Sequence, residues 1–299
     1  MPRPPIDLDR KVREVLQHVE ALPPEAATPY QNYERSVTDL WNLRSYVDRK
    51  VTRSSSYVNV VQRHMAALDR MLIVNFIEAF ERFLKEIAAV CVNHLAARVL
   101  DDRFDKLDQT KGGLLAVHFG AESVGRALCE SSTWLDCDEV NHRFRRLLSD
   151  PFDADKGKFW VFPAKKEHEP KAEKFRYSVM NLLWQLRHTI VHNLGQITQS
   201  DAVKFRLLAR QQVEAPRLLV PTRDDVRYVK RFLDESADNI NFRIMKRLAE
   251  LLTALHADNP HLFDPQKVAN KLTEDFGIHG VEVAGVEAEL PPSWYDPPC

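Results

Sequence analysis

DRMLIVNFIEAFERFLKEIAAVCV, residues Asp69 to Val92, is the stretch on which the fold turns. Leu72, Phe76, Phe80, Phe83, Leu84, Ile87, Val90 and Cys91 recur in it at three- and four-residue intervals, the spacing that lines side chains along one face of an α-helix. The helical pattern extends from about Tyr57 to Leu100. That is long for one globular helix, so a break is expected near Asp69. Glu78 and Glu81 fall inside the most apolar part. Either they face solvent or pair with arginines, or one of them orients a catalytic group on a neighbouring helix.

Working outward, the same periodicity predicts an all-α chain. Toward the amino terminus, IDLDRKVREVLQHVEAL is a short helix ended by Pro23 and Pro24, and YERSVTDLWNLRSYVDRKV is a second helical piece. Toward the carboxyl terminus, DEVNHRFRRLL (138–148) and KAEKFRYSVMNLLWQLRHTIVHNLG (171–195) are further helices, the latter stopped by Gly195. VKFRLLAR (203–210) and PRLLVP (216–221) form a small hairpin, unless the first of them is a helical turn. Asp224 caps a long helix running to about Leu255. Beyond it, QKVANKLTEDFG reads as a short helix and VEVAGVEAEL as a strand, together an appendage. The expected division is an N-terminal helical extension (1–56), a helical domain (57–256) and the C-terminal appendage (257–299).

Composition narrows the function classes. With 42 basic and 43 acidic side chains in 299 residues the formal charge is −1, so no global positive field marks a nucleic-acid binder, although a local basic patch is compatible with it. Glycine, at 9 residues, is too scarce to favour a fold built on glycine-rich phosphate loops. Cys91, Cys129, Cys137 and Cys299 form no CxxC pair and match no histidine spacing, which speaks against structural zinc. His118 lies among Leu114, Leu115, Val117 and Phe119 with no paired acid or cysteine, and reads as a packed or surface histidine. The start, MPRPPIDLDRKV, lacks the apolar stretch of a signal peptide, and no run suffices to span a bilayer. The expected location is therefore cytoplasmic, with no membrane partner.

Chemistry concentrates on the helix ending at Gly195. On a helical wheel Val179, Leu182, Leu183, Leu186, Ile190 and Leu194 share one broad face, expected to be core. Asn181, Gln185, His188 and His192 lie opposite, with the two histidines one turn apart. Arg187 sits at the edge of the apolar arc, and Trp184 is placed to wall off a cleft. Histidine titrates near neutrality and can move a proton to or from RNA hydroxyls, while arginine presents a planar fork to phosphate. The strip can therefore cleave RNA without a metal, by attack of the 2′-hydroxyl. Structural alternatives remain: late histidines suit the negative end of a helix, and an arginine at a core edge can snorkel. Thr189, Ile190 and Val191 between the histidines exclude the metalloprotease pattern. Elsewhere, Arg145 and Arg146 on the 138–148 helix, and Lys165 and Lys166 in an aromatic loop with Trp160 and Phe162, are candidate RNA contacts.

RHTIVHN, Arg187 to Asn193, resembles the signature of the HEPN superfamily: an arginine, a polar residue, a short spacer and a histidine. His188 occupies the polar position, where the family often has asparagine, and Asn193 comes directly after the motif histidine as in many relatives. NFIEAFERFLKEI (75–87) is similar to the helix packed beside the motif helix in several bacterial branches, and GQITQSDA (195–202) is similar to the segment after the motif helix there. The resemblance covers about residues 69–255. It implies a HEPN-like helical bundle with additional helices, usually a homodimer, often a metal-independent endoribonuclease acting in toxin–antitoxin or other defence settings. By the same resemblance Arg187 binds phosphate and stabilises the transition state, His192 is the general acid or base, and His188 is their polar partner. Asn193, Trp184 and one of Glu78 and Glu81 are supporting residues. No metal and no cofactor are implied. The partners would be RNA and an antitoxin or regulatory protein. Other members bind nucleotides, RNA or proteins without cutting RNA, and that non-catalytic module is the alternative.

Overall fold

The computed structural model describes residues 27–52, 58–96, 98–99, 104, 129, 134, 136–153, 159–162, 171–209 and 215–289. The expected helix at 6–22, His118, Lys165, Lys166 and Cys299 lie outside the described residues. The architecture is an all-α helical bundle carrying two small two-stranded β-ribbons.

Helix α1, Pro29–Thr52, starts where Thr28 and Gln31 bond each other's backbone N–H, at 3.2 and 3.0 Å, with Pro29 at its first position. Helix α2, Val58–Leu95, is the predicted long helix, and it runs without the break expected at Asp69. Asp69 is buried but not unpartnered: Arg44 of α1 donates Nε and Nη2 to its two carboxylate oxygens at 2.5 and 3.3 Å. A carboxylate satisfied by a neighbouring helix has no reason to turn back on its own backbone and end the helix.

Leu72, Phe76, Phe80, Phe83, Leu84, Ile87 and Cys91 are all buried, as the periodicity predicts. Tyr33 of α1 packs edge-on against Phe80, ring centroids 6.1 Å apart at 79°. The pairs Asn32–Glu86 and Arg44–Asp69 show that α1 and α2 run antiparallel. Arg223–Asp48 and Tyr33–Asp234 lay the long helix α6, Arg223–Asp258, antiparallel to α1. Its cap is Thr222 and not Asp224: the Thr222 hydroxyl accepts from Asp225 N–H and the Asp225 carboxylate from Thr222 N–H.

Between α2 and α6 lie α3, Cys137–Leu147, α4, Lys171–Asn193, and α5, Gln199–Ala209. Asp136 caps α3, accepting from Asp138 and Glu139 N–H. Of the two readings of VKFRLLAR, hairpin arm or helical turn, the structure takes the helical one, as part of α5. A Thr198–Asp201 capping box starts a helix there, at 3.1 and 3.2 Å, so PRLLVP finds another partner. Strand β1, Gln196–Ile197, pairs antiparallel with β2, Arg217–Leu218.

The segment beyond residue 257 packs into the same core. Helix α7, Pro265–Phe276, buries Val268, Ala269, Leu272 and Phe276 in the cluster that contains Phe80 and Leu248. VEVAGVEAEL is two strands, β3 (Glu282–Val283) and β4 (Val286–Glu287), joined through Ala284 and Gly285. Both of these have positive φ, 53° and 78°, the left-handed pair a tight two-residue hairpin requires. Among the described residues no helix is long and apolar enough to cross a membrane.

Candidate functional site

Helix α4 runs antiparallel to α2, with Arg187 opposite Glu78 and Gly195 opposite Arg70. Its buried face is made by Met180, Leu183, Trp184, Thr189 and Ile190, with Leu182 and Leu186 partly covered. Leu194, expected in the core, is 82 % exposed, because the chain leaves helical geometry there with φ 53°. Trp184 does not wall a cleft: it is buried edge-on against Phe162, 5.9 Å between ring centroids at 87°.

His188 and His192 are both exposed, and one helical turn brings their rings to 4.6 Å between centroids. Arg187 is half-buried, and its Nη2 donates to Glu78 Oε1 at 3.1 Å. Of the two acids, Glu78 is the one that pairs with Arg187. Glu81, one turn further along α2, instead accepts from the Trp134 backbone N–H at 3.4 Å and pairs with Lys85 at 3.3 Å, away from the arginine. Glu78 gives the guanidinium one hydrogen-bonded acidic partner, while the two imidazoles stay open to solvent. These groups can bind a phosphate and move protons beside it. Among the described residues no group of three or more His, Cys, Asp or Glu is placed to hold a metal ion.

The end of α4 is fastened by a residue that the periodicity did not single out. Asp201 is 2 % exposed. It accepts from Gln185 Nε2 at 3.1 Å, Asn193 Nδ2 at 2.9 Å, and Thr198 N–H and hydroxyl at 3.1 and 2.9 Å. Asn193, the residue after His192, is therefore locked in place by a carboxylate on α5. Burial pushes the Asp201 carboxyl up, but the bonds from Thr198, Asn193 and Thr189 outweigh it and hold it below the ordinary value. A carboxyl depressed in the folded state adds stability above its unfolded value of about 3.9, and that stability disappears as pH falls through the lower folded value. Asp201→Asn is therefore expected to cost about 2 kcal/mol at pH 7, and less at a pH below the lowered folded-state value. Urea unfolding at the two pH values checks this; an equal cost at both would show that the charge is not what matters. The Thr198–x–x–Asp201 spacing was the available signal in the sequence.

Gly195 comes next with φ 81°, and a Cβ there would lie 2.6 Å from Arg70 Cδ. Arg70 crosses this glycine to donate Nη1 to Leu219 O at 2.7 Å, tying α2 to the chain beyond β2. Gly195→Ala is expected to lose about 1–2 kcal/mol from the left-handed backbone alone, read as a lower urea midpoint. An unchanged midpoint would mean that Arg70 and the turn relax without cost.

Arg145 and Arg146 are not part of this cluster. The Arg145 guanidinium lies 5.5 Å over the Trp160 ring, and Arg247 of α6 holds the end of α3 through Leu148 O at 3.0 Å. Helix α3 meets α4 at Tyr177, whose hydroxyl bonds Asp138 at 2.9 Å. That is ten residues before Arg187, or about 15 Å along the helix.

No family model, no curated protein and no solved structure matches this chain. The class that the fold defines is an all-α bundle, and the function has to be argued from the Arg187–His192 end of α4.

Proposed function

We propose that the protein is a metal-independent endoribonuclease of HEPN type, with Arg187, His188 and His192 as its catalytic group. The observation that carries this is the coincidence, at one solvent-facing helix end, of two adjacent exposed imidazoles and an arginine oriented by Glu78 from the next helix. In the reaction one imidazole takes the proton of a 2′-hydroxyl and the 2′-oxygen attacks phosphorus. The 5′-oxygen leaves with a proton from a second, protonated imidazole, giving a 2′,3′-cyclic phosphate and a 5′-hydroxyl. Arg187 faces the phosphoryl oxygens as negative charge develops on them. A two-fold dimer that sets two such helix ends together would supply further acids and bases and a groove for the strand. A toxin–antitoxin or other defence setting fits an activity of this kind.

A second reading is favoured by the Arg187–Glu78 ion pair itself. A guanidinium already neutralised by a carboxylate at 3.1 Å suits a HEPN-like module that binds RNA, a nucleotide or a protein without cutting. The deciding experiment is incubation of single-stranded RNA and a tRNA pool with purified protein in EDTA, with the ends of the products analysed. Cutting that persists in EDTA and leaves cyclic-phosphate ends supports the ribonuclease; intact RNA with folded protein supports the binding module.

A further inference from the structure

Leu194 is a poor choice for its position on grounds of stability. Its φ of 53° is left-handed backbone, which costs a branched side chain free energy and is usually given to glycine or asparagine at a helix end. Its side chain gains nothing in return, being 82 % exposed. Across from it Leu218 is 57 % exposed, brought there by the Gln196–Leu218 register of the β-ribbon. Asn193, Leu194, Gln196, Pro216, Arg217 and Leu218 together line an open depression of about 290 Å³.

We propose that this depression is a nucleobase subsite, holding one unpaired base of a single-stranded RNA next to the scissile phosphate. The inference rests on the ribonuclease reading above and names where its substrate is gripped. Location supports it first: the depression begins at Asn193, immediately after His192, so a nucleotide whose phosphate meets the Arg187–His192 strip can lay its base there. Size is compatible with one ring system, since the volume of about 290 Å³ lies just below the ~300–1,000 Å³ of sites for whole small molecules. The chemistry also fits. Leu194, Pro216 and Leu218 offer apolar surface to the faces of a base, and the Gln196 amide offers a donor and an acceptor to its edge. A base inside a duplex could not enter, which makes the subsite selective for single strands. The chain on either side of the depression is tied down, since Asp201 accepts from Asn193 and Arg70 passes Gly195 to donate to Leu219 O. Such a strained, unpacked leucine is accounted for if a ligand covers it.

The test uses a fluorescent 2′-O-methyl RNA oligomer, which cannot undergo 2′-attack, and the same oligomer with abasic positions that keep its phosphates. Wild-type protein should bind the base-bearing strand about tenfold more tightly than the abasic one, the effect expected of burying a leucine-sized apolar surface. Leu194→Asn suits left-handed backbone, so it should fold as well as wild type. This variant, and Leu218→Thr independently, should erase the difference between the two strands. Unaltered discrimination in both variants overturns the subsite. If wild type cuts RNA in EDTA and both variants cut the same RNA with unchanged KM, the ribonuclease reading stands and the subsite falls. If folded wild type binds neither strand and cuts nothing, both fall. If the variants instead change the sedimentation behaviour while strand binding stays as in wild type, the surface is a contact between copies of this chain, and the proposal is overturned.

Discussion

His192→Ala is expected to slow RNA cleavage by roughly 10²–10⁴-fold, with the urea unfolding curve unchanged. The two halves of this expectation come from different observations. The rate effect derives from assigning His192 the proton transfer at the 2′- or 5′-oxygen. Unchanged stability derives from exposure, since the His192 imidazole is exposed near the end of α4, with its ring centroid 4.6 Å from that of His188. Arg187→Ala should lose about 10²–10³-fold, the size of a lost donor to developing negative charge, and it leaves Glu78 exposed and solvated. Arg187→Lys should recover little of this, because a single ammonium cannot reproduce the fork. Cleavage that survives in both alanine variants, or unfolding of His192→Ala, would take the reaction away from this helix end.

Asp69→Ala should have the largest effect on stability, a loss of about 3–5 kcal/mol, the cost of stripping one partner from a buried ion pair. Arg44 and Asp69 are both buried, and the Arg44 Nε–Asp69 Oδ1 distance is 2.5 Å. Burial works against the Arg44 charge, but the bonds to Asp69 and Asp48 more than restore it, and its pKa is raised. Removing Asp69 leaves a charged guanidinium between α1 and α2 with Asp48 as its remaining acidic partner, at 3.3 Å. An apolar double replacement, Arg44→Met with Asp69→Leu, should come close to wild type, since it removes the charge together with its counter-ion. Urea unfolding of the single and double variants measures both. A single variant within about 1 kcal/mol of wild type would mean that water or Asp48 replaces the lost partner, and that the pair does not fasten α1 to α2.

How far the fold could be read in advance depends on where each determinant sits in the chain. Periodicity located α2, α4 and α6, because a helix buries residues three and four apart and the record is local. It misplaced the end of the apolar face at Leu194, because the wheel assumes that helical geometry continues and the chain turns left-handed there. It also broke α2 at Asp69, whose partner lies 25 residues away on another helix. Of the candidate residues, His188 meets His192 on an exposed face of α4, and Arg187 meets Glu78. Glu81, one helical turn away, and Trp184 join neither pair: a few tens of degrees around each helix decided which neighbour they met. Asp201 was present as a capping-box pattern, but nothing local told that the same carboxylate would also hold Gln185 and Asn193.

The sequence by itself therefore determined the class of fold, the principal helices and the helix that carries the histidines, since these depend on spacing within single segments. The tertiary structure alone decided that Glu78 orients Arg187, that Asp201 locks the helix end, and that PRLLVP pairs with Gln196–Ile197 to set Leu218 beside Leu194. Those are contacts between segments, and their energies depend on distances and directions that no periodicity within one segment encodes.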